Sequence, residues 1–406
     1  MRLHGLLVVT TVLALAGCVA SPVSNPSSTP TPEVTKTVEP PPNASLVVTG
    51  PEEVVFDWSA DACEPMNIPD LATRAFRDST GRVQLLLSHA IGHRMIGAEL
   101  DSLSVDCTPL WTSAHDPDPG QYNDATWVAA PYTEDGNTIY AIVHNEYQGH
   151  THSGQCPSGD YAQCLDTSLN LYVSTDGGDS YAPAVAPPAH FIGSMPEAYS
   201  PDSGPFGLRS PSNVVVGPDG ALYMFASALQ FGTQKQVMCL LRTEDITDPS
   251  AWRWWDGSEF AGTFVDPEQD AGGTTCRAVA ANEIGAQLTE SLSYNTELES
   301  YVLVGLSADH IDGREVWGFY ASFSRDLLTW SPRRLIVEMP LPWTVTDPGN
   351  SLSVLYPSLL DPQSSDRNFA TTDSTAYLYY TRNNAGHASL DRDLVRIPVE
   401  FVLDSD

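Results

Sequence analysis

The stretch Asn213–Ser227 reads NVVVGPDGALYMFAS. A short β-type run meets the turn Gly217-Pro-Asp-Gly220, and an alternating run follows. Pro presets φ and Gly permits positive φ, so the segment predicts a β-hairpin. The same unit occurs at Leu71–His89, Thr126–His144, Glu290–Ser307 and Tyr356–Arg382, giving five copies. Their turns recur about every 55–85 residues, a period of the kind that marks propellers and arrays. No long amphipathic helical pattern accompanies them. A third strand and a closing turn follow most hairpins, as in LYVSTDGGDSY (Leu171–Tyr181) and ASFSRDLLTW (Ala321–Trp330). Shorter forms stand at Leu241–Asp245, Leu390–Leu394 and Glu99–Asp101. The expected fold is all-β: a five-bladed β-propeller of four-stranded antiparallel blades over 45–406. Radial repetition of this kind protects sheet edges. The blades are predicted at Ser45–Ser113, Ala114–Ala186, Pro187–Gly257, Ser258–Met339 and Pro340–Asp406.

The chain has 406 residues, 51 of them acidic against 19 basic, and a formal net charge of −32. Such a surface repels nucleic acid and anionic membranes, so neither is an expected partner through bulk charge. The N-terminus carries Arg2, an apolar run Leu6–Ala16, and then Leu15-Ala16-Gly17-Cys18. The run is too short to span a bilayer as a mature helix. The four residues resemble a bacterial lipobox, which implies a signal peptide over 1–17 and lipidation of Cys18. Residues 18–44 are rich in Pro, Ser and Thr and predict an unfolded tether. The expected location is the outer face of a bacterial cell membrane, held there by the lipid alone.

Export places the remaining six cysteines in an oxidising compartment. They fall in local pairs, so Cys63–Cys107, Cys156–Cys164 and Cys239–Cys276 are the expected disulfides. No C-x-x-C occurs, which argues against zinc or redox chemistry.

In a propeller the first strand of each blade starts, and the second ends, on one rim. Aligning the hairpins brings Asp70, Asp124, Arg209, Glu290 and Tyr356 to that rim from the strand starts. His89, His144, Glu146 and Arg382 come from the strand ends, and Arg74 lies further down its strand. Convergent polar side chains suit a polar ligand. Two loops overhang the rim. In His144–His152, the residues His144, His150 and His152 match no tight metal spacing, so no metal and no cofactor is assigned. The other, His190–Asn213, offers Phe191, Tyr199 and Phe206 as stacking surfaces for sugars.

The Ser174-x-Asp176-x-Gly178 turn resembles the Asp-box of sialidases and related propellers. Ser324-x-Asp326-Leu…Trp330 resembles the SxDLxxW turn of five-bladed glycosidases; both are read as folding devices. With the hairpin layout and the rim carboxylates, the chain resembles propeller glycosidases of the arabinanase, xylosidase and fructosidase type. That resemblance implies catalysis by carboxylates from different blades, because the leaving oxygen must be protonated as positive charge builds on the sugar. It implies Asp70 as base, Glu146 or Glu290 as acid, and Asp124 as a weaker second-blade candidate. Arg74, His89, His144, Arg209, Tyr356 and Arg382 become the substrate-binding set. Arg209 stands where the third-blade acid belongs, with Glu146 or Glu197 as substitutes. Sialidases fit less well, since Asn67-Ile68-Pro69 has Asn where they need Arg. The expected activity is cleavage of a polysaccharide. The alternative is a non-catalytic carbohydrate-binding or scaffold lipoprotein.

Overall fold

The computed structural model describes residues 39–285 and 288–404. The predicted signal peptide, Cys18 and most of the predicted tether lie outside the described residues. Strands dominate; the only α-helices among the described residues are the four-residue Trp58–Asp61 and Ala281–Ile284.

The strands form five successive antiparallel groups. The first is a plain meander of Ala75–Arg77, Val83–Leu87, Ile91–Gly97 and Leu103–Thr112. The second contains Ala125–Tyr132, Ile139–Gln148 and Leu165–Ser174, with two short edge pieces, Ala182–Pro183 and Phe191–Gly193. The third runs through Leu222–Leu229, Gln236–Thr243 and Arg253–Trp254, with Phe206–Arg209 and Val215–Val216 both pairing Leu222–Leu229. Ser291–Asn295, Ser300–Ile311, Arg314–Ser324 and Arg334–Glu338 make the fourth. The fifth is Ser353–Leu360, Thr375–Asn383 and Arg392–Leu403, completed by Ala44–Val48 from the other end of the chain.

That last pairing corrects the expected boundary of the first blade. Ala44 faces Leu403 and Val48 faces Val399, so 44–56 belongs to the fifth group. The reason is the edge. Without this strand, Arg392–Leu403 would leave a row of backbone groups unpaired.

The groups close into a ring, with an apolar cluster at each junction. Phe76, Leu86 and Trp111 of the first blade pack on Val128, Ile139 and Tyr172 of the second. Ile142 and Leu171 meet Met224 and Leu241, and Phe225 and Leu240 meet Leu303 and Tyr320. Val304 and Phe319 meet Leu378 and Val395; Leu360 and Tyr379 then return to Leu85 and Met95. Each fully buried aliphatic or aromatic side chain is worth about 1.5–3 kcal/mol, so these junctions hold the blades together. Inner-strand hydrogen bonds follow the same circuit. Ser358 Oγ donates to the Thr73 carbonyl (2.7 Å), Leu359 N to Ser291 Oγ (3.0 Å), and Leu292 N to Asn213 Oδ1 (2.8 Å). Between the second and third blades the ladder is continuous: Phe206–Arg209 pairs in parallel with Leu165–Ser174. Gly207 sits there at φ +115°, and a Cβ would overlap the Thr167 carbonyl. Only glycine combines that φ with that approach.

The two signature turns are folding devices. Asp326 Oδ1 accepts from the backbone N of Leu328 and Thr329 (2.9 and 2.6 Å), and Ser324 Oγ accepts from Leu327 N (2.8 Å). Trp330 then reaches the third blade, edge-on to Phe225 at 5.7 Å. Ser174 and Asp176 repeat the pattern in the second blade. The three disulfides join Cys63 to Cys107, Cys156 to Cys164 and Cys239 to Cys276, with Cα separations of 5.4, 5.7 and 5.6 Å.

Candidate functional site

The inner strands converge on Arg74, whose buried guanidinium plugs the ring. It donates to Ser358 Oγ (2.9 Å), to the Thr73 carbonyl (3.1 Å) and to the Glu290 carbonyl. Burial pulls its pKa down to about 9. Arg74 is therefore a floor, beneath the ligand space it was expected to line.

Above it opens a cavity of about 420 Å³, within the range of small-molecule sites. Every blade supplies a polar wall residue. Asp70 leads into the first blade, and His144 and Glu146 end the strand Ile139–Gln148. Arg209 ends Phe206–Arg209, Glu290 immediately precedes Ser291–Asn295, and Tyr356 lies inside Ser353–Leu360. Ser210 and Tyr356 both adopt positive φ, at 48° and 59°. Non-glycine residues held in that region cluster at functional sites.

The carboxylates are not equivalent. Glu146 is fully occupied: Oε1 lies 3.3 Å from His144 Nε2, while Oε2 accepts from Gln148 Nε2 (2.8 Å) and the Tyr161 hydroxyl (2.9 Å). Burial alone would raise its pKa, but these contacts outweigh it and hold Glu146 below its ordinary value. Glu290 is the opposite case. Its Oε2 is buried without a partner, and burial pushes its pKa up to about 7. Asp70 Oδ1 is bound by Arg392, while Oδ2 keeps only a long 3.8 Å contact to His89 Nε2. Burial lowers the pKa of His89, which favours its neutral form.

Three expected site residues stand elsewhere. Asp124 is buried in a loop anchor: it accepts from Gln148 N (2.7 Å) and pairs with His152 Nε2 (2.9 Å). It stakes down the loop after the second strand and does not face the cavity. Arg382 pairs with Asp393 (2.7 Å) and with Glu52, on the flank of the fifth blade. His89 backs the wall, edge-on to Trp127 at 5.4 Å. In the loop itself, His144 faces Glu146, His150 packs on Tyr161 and His152 pairs with Asp124. The three imidazoles thus have three separate partners.

Sequence reading missed Arg392, Trp127, Tyr161 and Trp343. Trp127 lay inside a quoted hairpin, at a position that alternation places on the inner face. Tyr161 and Trp343 lie outside the strands and carried no local signal, while Arg392 opens Arg392–Leu403 and its reach to Asp70 is long-range.

No family model matches this chain, and no curated protein does. Solved structures similar to it include a glycosyl hydrolase from Bacteroides ovatus, at 10% identity and TM-score 0.47, covering 89% of this chain and 96% of that one. An endo-arabinase from Bacteroides thetaiotaomicron is similar at 13% identity and TM-score 0.42, over 84% and 99%. A family 117 glycoside hydrolase of the marine bacterium Zobellia galactanivorans has 10% identity and TM-score 0.48, over 89% and 92%.

Proposed function

We propose that this chain is a glycoside hydrolase that cleaves a polysaccharide in the five-walled cavity. The observation that carries the reading is the contrast among three carboxyl groups in one pocket. Glu290 is buried, has no partner on Oε2, and is pushed up to about 7 by burial that outweighs its backbone hydrogen bonds and the charge of Arg74, which suits a proton donor. Asp70 is charge-paired through one oxygen and has the other nearly free, which suits a base. In the proposed step Glu290 Oε2 gives its proton to the leaving glycosidic oxygen as the C–O bond breaks. Asp70 Oδ2 takes a proton from the water whose oxygen bonds to the anomeric carbon. Glu146, with both oxygens occupied, does not suit the acid's part; it is a fixed negative charge beside the oxocarbenium-like centre. Arg209 and Tyr356 offer donors to sugar hydroxyls.

The competing reading is a glycan-binding protein without turnover, favoured by Arg209 at the third-blade position. A screen of purified polysaccharides against wild type and Asp70→Asn separates the two. The expected result is glycan cleavage that drops about 10²–10⁴-fold in the variant. Tight binding with no cleavage of any glycan selects the binding reading. We also propose export and a lipid anchor at Cys18, supported by the lipobox-like Leu15–Cys18.

A further inference from the structure

Trp343 belongs to two cavities. On one side it walls the pocket with Asp70, Glu146 and Glu290. On the other it walls a recess of about 610 Å³ with Glu315, Trp317, Glu338, Met339 and Thr344. The two spaces therefore meet at one indole. That indole is 49% exposed, and it stands edge-on to Trp317 with ring centroids 5.8 Å apart. Trp317 is fixed from behind, its Nε1 donating to Glu315 Oε2 at 3.0 Å. An exposed tryptophan beside a second, braced one is a stacking platform, with flat apolar faces and little rotamer entropy to lose.

The polar rim narrows the ligand. Glu315 and Glu338 supply acceptors for hydroxyl groups. The cation beside them, Arg314, is already forked onto Glu338 at 2.7 and 2.6 Å. The recess thus has acceptors and apolar faces, and no unpaired positive charge among its lining residues. It suits a hydroxyl-rich neutral chain and repels a polyanionic one.

We propose that this recess is the continuation of the cleft: it holds further units of a neutral glycan whose target linkage lies in the main pocket. The substrate is then a neutral oligo- or polysaccharide, recognised over several units, and neither a simple glycoside nor a polyuronide. The inference rests on the glycan reading of the pocket.

The test is calorimetric binding to the full-length protein, using neutral pentose and hexose oligomers from monomer upward and a uronic-acid oligomer series. Hydrolysis is blocked by Glu290→Gln in all samples. The neutral ligands are expected to bind more tightly as they lengthen, and the uronic series to gain nothing. Trp317→Ala should cut the long-chain advantage over monomer about three- to tenfold, the worth of one aromatic contact. Trp317→Phe should restore much of it, which loss of folding in the Ala variant would not mimic. Affinity independent of length, or a length gain kept in Trp317→Ala, overturns the recess proposal alone. Absence of binding to any glycan overturns the pocket reading with it.

Discussion

Replacing Glu290 with Gln keeps the side chain's shape and removes its ability to ionise. The magnitude follows from the burial of this carboxyl, which has an ordinary value of 4.5 and sits at about 7 in the folded chain. The folded protein therefore retains a proton that the unfolded chain releases. This preference contributes stability that is fully present below pH 4.5 and is lost as pH rises through about 7. At 1.36 kcal/mol per pH unit, the ionised carboxylate costs the wild type about 3 kcal/mol at pH 8. Gln carries no such cost. Denaturant unfolding with disulfides intact should show Glu290→Gln level with wild type at pH 4 and more stable by about 3 kcal/mol at pH 8. The same variant should lose turnover about 10²–10⁴-fold, and wild-type kcat/KM should fall on the alkaline side near pH 7. A stability difference that is flat from pH 4 to pH 8 would falsify the claim that burial raises the Glu290 carboxyl.

The double variant Cys63→Ser with Cys107→Ser opens a loop of sequence separation 44, and should lose about 4 kcal/mol by denaturant titration. Asp326→Ala strips two backbone N–H groups of their acceptor. It should cost about 1–2 kcal/mol in thermal unfolding and leave glycan turnover alone, and a loss of turnover at unchanged stability would contradict a purely folding role. Cys18→Ala should release the protein into the medium on cell fractionation; retention in the membrane fraction would argue against the lipid anchor.

The hairpins were legible because their signals are local. Period-2 alternation places alternate residues of Leu222–Leu229 between blades, and Gly217–Gly220 turns the chain between two paired strands. The strand that closes the ring was not legible. ASLVV reads as a strand, but nothing in it names Val399–Leu403 as its partner across the whole domain. The frayed outer edge of the second blade is also sequence-driven. APAVAPP (Ala182–Pro188) lacks the N–H groups for a full ladder, so only Ala182–Pro183 and Phe191–Gly193 pair.

The site was legible as a rim and not as a set of roles. Hairpin register alone places Asp70, His144, Glu146, Arg209, Glu290 and Tyr356 around one cavity. Register also brings Asp124 to the start of its strand, but a strand start does not say which way a side chain is pulled. His152 and the Gln148 amide, both downstream in the loop, pull Asp124 aside. The three acids are tied differently: Glu146 by His144, Gln148 and Tyr161, all nearby in sequence, and Asp70 by a distant residue. Arg392 reaches Asp70 from the last blade, so Asp70 is charge-paired. The nearby charge of Arg74 pulls the Glu290 pKa down, but burial outweighs it, and the hydrogen bonds of Arg74 go to the carbonyls of Thr73 and Glu290 and to Ser358. The carboxyl is left buried without a hydrogen-bond partner on Oε2 and burial pushes its pKa up to about 7, which is why the proposed mechanism gives this glutamate the acid's part.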